Sequence, residues 1–255
     1  MENKDLVSIV MPSYNTASFI GESICSVQAQ TYENWELLIV DDCSTDNTDE
    51  TVQPYLADSR IRYLKNEKNS GAAVSRNRAL REAKGRWIAF LDSDDLWKPD
   101  KLEKQITFMK QSGSHFSYTC YEEMDEQGTE LGKLVSGPKK ISKAGMFAYC
   151  WPGCLTVMYD AGVVGLVQIA DIKKNNDYAM WLQVCKKADC YLLPEKLAYY
   201  RKRSGSISRH SYKKLIVWHY RLFRFAQGYD PVAAAVLTCG NLLFGVIKKT
   251  MYVKG

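Results

Sequence analysis

The chain has 255 residues, of which 46% are hydrophobic and 25% charged, and its formal net charge is +5. This is an ordinary globular composition, and it excludes a chain that is too short or too polar to bury a core. The eight cysteines contain no Cys-x-x-Cys pair. A zinc site of that spacing and a disulfide framework are therefore disfavoured, and a reducing cytosol is expected.

Charge is distributed unevenly along the chain. Residues 201–255 contain eleven Lys and Arg against one acid, whereas residues 1–200 contain 23 basic and 28 acidic side chains. The C-terminal segment thus carries +10 and the rest −5. This asymmetry predicts a polyanionic partner for the C-terminal segment, either lipid or nucleic acid.

The first hundred residues alternate between strand-like and helix-like patterns. Apolar runs predict strands at residues 6–11, 35–40, 61–64 and 87–91. Helical periodicity and capping residues predict helices at residues 19–27, 48–56 and 71–83. The first run is short and stops at Pro12, so we interpret it as a strand and not as an export signal. The alternating order predicts a mostly parallel sheet with helices on both faces.

The pattern loosens after residue 110. An amphipathic stretch predicts a helix over residues 102–109, and an apolar run predicts a strand over residues 115–121. Residues 125–128 are typical of a turn, and residues 176–185 of a helix with Met180, Trp181 and Val184 facing inward.

A cluster of carboxylates, Asp92-Ser93-Asp94-Asp95, follows directly on the predicted strand 87–91. An open α/β sheet binds its ligand at the carboxyl ends of its strands. Crowded carboxylates repel one another, and the cluster becomes favourable when a cation, alone or with phosphates, neutralises it. The cluster predicts a metal and diphosphate site. The alternative is a simple helix cap, with Pro99 opening the next helix.

Polar groups also follow the first two strands. Pro12-Ser13-Tyr14 offers small groups and an aromatic face for a base. After the second strand, a carboxylate of Asp41-Asp42 is suited to accept the N3 proton of uracil or thymine, which cytosine lacks. A uridine or thymidine nucleotide is therefore favoured over a cytidine nucleotide. The local alternatives are a rim aromatic for Tyr14 and helix caps for Asp42 and Asp46.

Arg76 lies on the second turn of a predicted helix whose start, Gly71-Ala72-Ala73, consists of small residues. A close backbone approach, a positive helix end and a guanidinium fork together suit a diphosphate. The alternative is a solvated helix face shared with Arg78 and Arg81, and we prefer that interpretation for those two arginines.

Four segments carry a family resemblance. The chain resembles family 2 glycosyltransferases of GT-A fold over residues 6–110, at residues 10–15, 38–46, 71–77 and 90–95. The fold class implied is α/β, with a mostly parallel Rossmann-like sheet flanked by helices and a helical basic C-terminal extension. We divide the chain into a nucleotide-sugar part (1–110), an acceptor and catalytic-base part (111–205) and the extension (206–255).

The resemblance implies roles for individual residues. Asp41 would contact the uracil, Tyr14 would lie beside the base, and Arg76 would approach the nucleotide. Asp92 would serve the ribose, and Asp94 would bind a divalent cation, Mn²⁺ or Mg²⁺. The full set expected at the nucleotide is Pro12, Ser13, Tyr14, Asp41, Arg76, Asp92 and Ser93.

Further residues follow from the same resemblance. Asp177 stands where the family carries its catalytic base, although Asn176 replaces the usual Glu before it. The alternative for Asp177 is a helix N-cap. Arg203, in a loop that extends over residues 199–208, stands where a His is frequent and is a candidate diphosphate contact. The Gln-x-x-Arg-Trp signature of processive members is absent, so we expect one sugar to be added per encounter.

The C-terminal segment has two apolar stretches. Residues 213–225 combine aromatic and basic side chains at helical spacing, typical of an interfacial helix or of a core-packing helix with a basic outer face. Residues 232–247 carry no charge but number only sixteen, short of the roughly 20 needed to span a bilayer. We expect them to lie on a membrane or against a partner, with Lys248 and Lys249 at anionic headgroups.

The function expected is inverting transfer of one sugar from a UDP-sugar, or less favourably a dTDP-sugar, to a hydroxyl of a glycan acceptor in surface polysaccharide synthesis. A lipid-linked acceptor, such as a polyprenyl diphosphate, would place the protein peripherally on the inner face of the cell membrane. A nucleotidyltransferase would need a Gly-rich loop after the first strand. An inactive nucleotide-binding scaffold is the other alternative, suggested by Asn176 and Arg203. Nucleic acid would explain only the basic segment, and the oligomeric state is left open.

Overall fold

The computed structural model describes residues 5–172, 174–203 and 212–254, with the side chains of residues 212 and 213 excepted. The part of the predicted loop at residues 204–208 lies outside the described residues. The strands found in these ranges are β1 (Val7–Ser13), β2 (Trp35–Asp41), β3 (Ile61–Lys65), β4 (Trp87–Phe90), β5 (Leu96–Trp97), β6 (Phe116–Met124), β7 (Glu130–Val135), β8 (Lys140–Ile141), β9 (Met158–Asp160), β10 (Cys190–Arg201) and β11 (Val253–Lys254).

The helices in the same ranges are α1 (Ile20–Gln28), α2 (Thr48–Val52), α3 (Ala72–Glu82), α4 (Lys101–Ser112), α5 (Lys143–Ala148), α6 (Ala161–Val164), α7 (Asn176–Val184), α8 (Tyr212–Arg221) and α9 (Pro231–Met251). A 3₁₀ turn continues α2, and a π-helical turn continues α8. Every strand and helix predicted before residue 110 is present, so those predictions are confirmed.

One curled sheet organises the described part of the chain. Its continuous order is β11-β7-β6-β9-β4-β1-β2-β3, and β10 pairs with β5, β6 and β8. The β4-β1-β2-β3 half is parallel, as predicted. The other half is mixed, because the short turn at residues 125–128 joins β6 to β7 and a short turn joins only antiparallel strands.

Two apolar layers cover the sheet. Alternate residues of β1 and β2 point to opposite faces, which is the period of a strand buried on both sides. One face packs against α1 and α4 through Ile24, Leu102 and Met109, and the other packs against α3 and α7. Trp181 of α7 meets Phe90 of β4 edge to face, with ring centroids 5.1 Å apart. These contacts fix α3 and α7 against the carboxyl edge of the parallel strands.

The helix α9 has two opposite faces. Ala234, Thr238 and Asn241 are buried against the domain, whereas Val232, Val236, Leu243 and Val246 are largely exposed. The buried residues are three or four positions apart, and the exposed ones three, four or seven, which is the spacing of one helical face. After α9 the chain adds β11, which pairs antiparallel with β7 through Val253 and Val135. The helix is therefore attached to the domain along one side and at its end.

The uncharged run of sixteen residues lies within a longer helix, since α9 has 21 residues and includes Lys248 and Lys249. It is the one helix in the described ranges that is long and apolar enough to cross a membrane. One expectation for this segment is wrong. Lys248 does not face outward, because its ammonium donates to the carbonyl oxygen of Trp151 at 2.7 Å. Burial lowers the pKa of Lys248, opposed by the negative charge of nearby groups that include Asp177.

A buried ion pair closes the sheet near its amino edge and supplies a test of the fold. The Asp160 carboxylate is fully buried and accepts from Arg86 Nη2 at 2.7 Å and Nε at 3.0 Å. Burial raises the pKa of Asp160, but hydrogen bonds from Arg86 and His115 outweigh it and give a net lowering. The stability that this contributes is present above the carboxyl's usual pKa and is lost as the pH falls through the depressed one.

We predict that Asp160→Asn lowers the free energy of unfolding by about 2 kcal/mol at pH 7, since Arg86 loses its charged partner. Urea denaturation at pH 7 and pH 3 measures this, and the difference from the parent should be smaller at pH 3. Asp189→Asn, which removes a surface pair with Lys140, is the control and should cause no measurable change. Equal losses in the two variants would contradict the prediction.

Candidate active site

The predicted site residues converge at the carboxyl edge of the parallel strands. Tyr14 follows β1, Asp41 ends β2, and Asp92 follows β4. The amino ends of α3 and α7 meet the same edge, because both helices pack on that face of the sheet. This is the position where open α/β sheets bind their ligands.

Arg76 connects three of these elements. Its Nη2 donates to Asp92 Oδ1 at 2.5 Å, and its Nη1 donates to Asn176 Oδ1 at 3.0 Å. Burial disfavours its charge, but Asp92 and other negative groups, Asp177 among them, outweigh that effect and raise the pKa of Arg76. Its Nε is buried without a hydrogen-bond partner among the described residues. Arg76 is buried at this edge, so the alternative of a solvated helix face is wrong for it, and its contact with the nucleotide stays a prediction.

The neighbouring arginines of α3 behave as the sequence predicts. Arg78 is bound to the carbonyl oxygen of Lys65 and donates to Asn66 Oδ1 at 3.1 Å. Arg81 donates to Gln168 Oε1 at 3.1 Å. Both contacts lie at the surface, away from the carboxylate cluster.

Asp94 and Arg203 also meet at this edge. Arg203 Nε lies 2.8 Å from Asp94 Oδ2. Burial and the charge of Asp92 raise the pKa of Asp94, and Arg203 opposes that rise. The structure thus brings the candidate metal ligand and the candidate diphosphate contact together, and positive charge stabilises the ionised Asp94.

Asp95 and Arg201 form a support that was not predicted from the sequence. Asp95 is buried and accepts from the Arg201 backbone N–H of β10 at 2.8 Å. The helix-cap alternative for the cluster is wrong, because the N-cap of α4 is Asp100. The Arg201 guanidinium is also buried, and it donates to the Asp94 and Glu126 carbonyl oxygens at 2.9 Å each and to Glu22 Oε2 at 2.5 Å. Burial and the neighbouring carboxylates raise the pKa of Asp95 well above its usual value.

No sequence signal marks Arg201, because its partners lie more than seventy positions away along the chain. Its effect is to hold the backbone that carries Asp94 and Asp95.

The donor atoms at this edge suit a hard divalent cation. Asp92 and Asp94 supply carboxylate oxygens, the ligands that such a cation prefers, and burial with the charge of Asp92 raises the pKa of Asp94. Within the residues that the structure describes, no group of three or more His, Cys, Asp or Glu side chains is arranged to hold a metal ion. A cation here would take its remaining ligands from water and a bound diphosphate, as Mg²⁺ commonly does.

The loops after β1 and β2 are tied together. Asn15 Oδ1 accepts from the Thr45 N–H at 2.8 Å, and the Asn15 N–H donates to Ser44 Oγ at 2.9 Å. Asp41 is fully buried and accepts from the N–H and hydroxyl of Ser44. Tyr14 stands half-exposed at the rim.

The other residues predicted to bind the nucleotide are less exposed to solvent than Tyr14. Ser13 is buried with its hydroxyl 2.9 Å from that of Thr16, Ser93 is buried, and Pro12 is partly covered. The structure places all three at the correct edge of the sheet.

Asp42 and Asp46 have structural roles, although neither is the N-cap of a helix, since α2 has Asn47 and α3 has Gly71 at that position. Asp42 accepts from Asn66 Nδ2 and from the N–H groups of Ser70 and Gly71, at 2.8, 2.9 and 2.6 Å. Gly71 has φ +89° and immediately precedes α3. Asp42 therefore holds the loop from which Arg76 is presented. Asp46 accepts from the Thr48 N–H at 3.1 Å at the start of α2.

Asp177 lies in the first turn of α7, where a carboxylate is favoured by the helix dipole. The N-cap is Asn175, with φ +57°, so the cap alternative for Asp177 is wrong. The described part of the chain contains no hydrogen-bond donor paired with the Asp177 carboxylate. Burial raises the pKa of Cys154 well above its usual value, and the charges of Asp92 and Asp177 add to that rise.

The helix α9 reaches this part of the site. The Asn241 amide donates to the Tyr178 hydroxyl at 2.6 Å, and Tyr178 donates to the Met146 carbonyl oxygen at 2.7 Å. Tyr178 directly follows Asp177, and Lys248 holds the Trp151 carbonyl in the loop before Cys154. Side chains of α9 thus support both α7 and the loop beside it, which sequence reasoning did not find.

The family relationship follows from a match of residues 8–147 to the model of glycosyl transferase family 2. The chain belongs to this family. TuaG of Bacillus subtilis, whose name assigns it to teichuronic acid biosynthesis, is 45% identical over 82% of this chain and 84% of its own length. WfgD of Escherichia coli, a UDP-Glc:α-D-GlcNAc-diphosphoundecaprenol β-1,3-glucosyltransferase, is 43% identical over 82% of each.

Solved structures confirm the GT-A fold. Residues 1–349 of TarS from S. aureus, in complex with UDP-GlcNAc, align with a TM-score of 0.73 at 19% identity, over 97% of this chain and 74% of that one. The mannosyltransferase PcManGT of Pyrobaculum calidifontis, in complex with GDP-Man and Mn²⁺, aligns with a TM-score of 0.63 at 16% identity, over 96% and 76%.

We predict that Asp42→Ala lowers the free energy of unfolding by about 2 kcal/mol, because three donors lose a charged acceptor. Urea denaturation measures the loss, and hydrogen exchange at the Gly71 amide should become faster. Glu67→Ala is the control, since Glu67 is exposed in the same loop. A variant at Asp42 that is as stable and as protected as the control would contradict this role.

Proposed function

We propose that this glycosyltransferase moves one sugar from a UDP-sugar to a hydroxyl of a lipid-linked glycan acceptor, with inversion at the anomeric carbon. The observation that carries the proposal is the convergence of Arg76, Asp92, Asp94 and Asp177 at one edge of the sheet. This edge combines groups that neutralise a departing diphosphate with a carboxylate that accepts a proton.

The donor proposal rests on the groups around β1 and β2. Tyr14 presents an aromatic face at the rim. Asp41 is the carboxylate proposed for the uracil N3–H. Because Asp41 is fully buried and accepts from Ser44, the base would have to displace Ser44. The name of WfgD specifies UDP-Glc, and TarS is in complex with UDP-GlcNAc. A dTDP-sugar has the same N3–H and remains the less favoured donor. The nature of the sugar is not specified by these contacts.

The reaction needs charge stabilisation and proton removal at the same time. The acceptor hydroxyl oxygen attacks the anomeric carbon, the bond to the diphosphate breaks, and Asp177 takes the hydroxyl proton. Attack from the face opposite the diphosphate gives inversion. Arg76, held by Asp92 and Asn176, stabilises negative charge on the leaving diphosphate, and Arg203 lies close enough to assist.

A divalent cation, Mn²⁺ or Mg²⁺, would add to this neutralisation. Asp94 would hold it, with Asp92 beside it, and it would supply Lewis-acid stabilisation of the diphosphate oxygens. The Asp94–Arg203 pair means that Arg203 and a cation would share one carboxylate.

The base assignment gives a direct test. We predict that Asp177→Asn retains UDP binding, measured by isothermal titration calorimetry, and lowers the transfer rate by about 10²- to 10⁴-fold. Asp189→Asn is the control because this carboxylate pairs with Lys140 beyond the far end of α7. Transfer by Asp177→Asn within a few fold of the parent would remove Asp177 from the role, and release of free sugar without acceptor distinguishes a slow enzyme from a scaffold.

We further propose that the protein lies peripherally on an anionic membrane through α9. An exposed apolar face along the helix consists of Val232, Val236, Leu243 and Val246. Exposed basic side chains are also present on α8, at Lys214 and Arg221, and on α9, at Lys249. The opposite face packs on the domain and includes Lys248 bound to the Trp151 carbonyl. These attachments favour a helix lying in the membrane surface over one surrounded by lipid.

Replacing Val236, Leu243 and Val246 together with Ser should weaken binding to vesicles that contain anionic lipid by about a hundredfold, since apolar burial worth about 3 kcal/mol is lost. Flotation measures the bound fraction. Val163→Ser with Leu166→Ser is the control, since both side chains are about half exposed elsewhere. Undiminished flotation of the triple variant would contradict the membrane proposal.

A further inference from the structure

An apolar groove runs between α8 and α9. Its volume is about 340 Å³, and its lining is almost entirely apolar apart from one arginine. The lining comes from Ile216, Val217, Tyr220, Arg221, Phe225, Ala235, Thr238 and Cys239. Ile216 and Val217 are 47% exposed and Phe225 is 67% exposed. Large contiguous apolar surfaces are rarely exposed on monomeric proteins, and those that are exposed mark binding sites.

A second pocket adjoins the groove and has a different chemistry. Its volume is about 350 Å³, and its lining is Asp171, Ile172, Lys174, Trp218, Arg221 and Phe225. Arg221 and Phe225 therefore line both spaces. Two cationic side chains face one carboxylate here, and the Lys174 ammonium lies 5.3 Å from the Trp218 ring centroid. A pocket with excess positive charge and an aromatic wall suits a phosphate-bearing ligand.

The second pocket leads to the catalytic edge. Lys174 is three residues before Asp177, and three residues of chain span at most about 10 Å. Asn175 takes the left-handed conformation between them, and Asn176 binds Arg76. The groove and the cationic pocket are joined by Arg221 and Phe225, and Lys174 of the cationic pocket is close in sequence to the proposed base.

We propose that the groove binds the isoprenoid chain of the acceptor and that Arg221 and Lys174 bind the acceptor's own diphosphate. This inference rests on the proposed function, and it adds a binding site for the acceptor that is separate from the donor site. A polyprenyl-diphosphate sugar has an apolar chain, then two phosphates, then the sugar. The three parts follow one another in the same order as the three surfaces, so the acceptor hydroxyl is delivered to Asp177.

The membrane proposal supports this arrangement. The exposed face of α9 and the α8–α9 groove share the same helix, so an isoprenoid chain passes from the bilayer into the groove without crossing water. The competing occupants are a helix of a partner protein and a second copy of this chain. Neither would explain the cationic pocket that continues the groove toward Asp177.

Binding can be tested without any sugar transfer. The probes are farnesyl diphosphate, farnesol and inorganic diphosphate, added to the full chain in one detergent. We expect farnesyl diphosphate to bind most tightly. Ala235→Trp, which fills the groove, should weaken it about tenfold because a few buried CH₂ groups account for that factor. Arg221→Gln should weaken it by a similar factor through loss of a charged hydrogen bond.

Matched variants separate the groove from its surroundings. Thr250→Trp adds the same side chain at an exposed position of α9 outside both linings, and Lys143→Gln removes an exposed charge on α5 outside both linings. Both should bind farnesyl diphosphate as the parent does. Equal effects of Ala235→Trp and Thr250→Trp would overturn the proposal. A change of oligomeric state in Ala235→Trp, measured by light scattering, would also overturn it in favour of a protein interface.

A second measurement needs no substitution. Cys239 lines the groove and is exposed, while Cys25 is exposed on α1. Farnesyl diphosphate should slow alkylation of Cys239 by N-ethylmaleimide in proportion to its occupancy and leave Cys25 unchanged. Absence of protection at a concentration that saturates binding would overturn the proposal.

Transfer assays then distinguish the two levels of the hypothesis. Ala235→Trp should raise the KM for a long-chain lipid-linked acceptor and leave transfer to a short-chain analogue and release of free sugar unchanged. If the parent binds farnesyl diphosphate in the groove but transfers no sugar, the proposed function fails while the groove stands. If the parent transfers sugar and Ala235→Trp has an unchanged KM for the long-chain acceptor, the groove fails while the function stands.

Discussion

Mutual repulsion among Asp92, Asp94 and Asp95 is the constraint around which the catalytic edge is built. Each carboxylate is stabilised by a different partner: Asp92 by Arg76, Asp94 by Arg203, and Asp95 by the backbone N–H of Arg201. Burial still raises the pKa of Asp94 and Asp95. The cluster is thus only partly compensated by the protein, which is the condition under which a cation or a diphosphate with its cation binds favourably.

The same constraint explains why distant parts of the chain meet here. Arg76 comes from α3, Arg201 from the end of β10, and Arg203 from just after it. Arg201 lies on a strand paired in parallel with β6 and donates to the carbonyl oxygens of Asp94 and of Glu126 in the β6–β7 turn. Folding of the second half of the sheet is therefore required before Asp94 and Asp95 gain their partners. The parts of the chain that we predict to bind donor and acceptor share one electrostatic balance.

Local sequence patterns were sufficient to predict the parallel half of the sheet and the edge where its polar residues converge. The reason is that alternation, helical spacing and capping depend on residues close together in the sequence. These patterns were sufficient to place Asp94 at the same edge as the residues that we predict to bind the nucleotide. They failed where the deciding partner lies far away: nothing around Arg201, Asn241 or Lys248 shows that they turn inward. The hydrogen bonds that Asp42 accepts from Asn66 and Gly71 could not be predicted either. A carboxylate that holds a loop and one that binds a ligand look the same in the sequence.

The inward lysine and arginines also change the meaning of the basic C-terminal segment. Its charge of +10 overstates what a membrane would meet, because Arg201, Arg203 and Lys248 face carboxylates or carbonyl oxygens of the domain. Each Lys or Arg near an anionic surface contributes about 1 kcal/mol, and only the outward ones count. Electrostatic attraction is therefore weaker than the sequence suggests, and the proposed membrane attachment would draw on both the outward basic side chains and the apolar face of α9. Attachment through this face would also hold Asn241 and Lys248 against α7 and its neighbouring loop, which links the membrane surface to the position of Asp177.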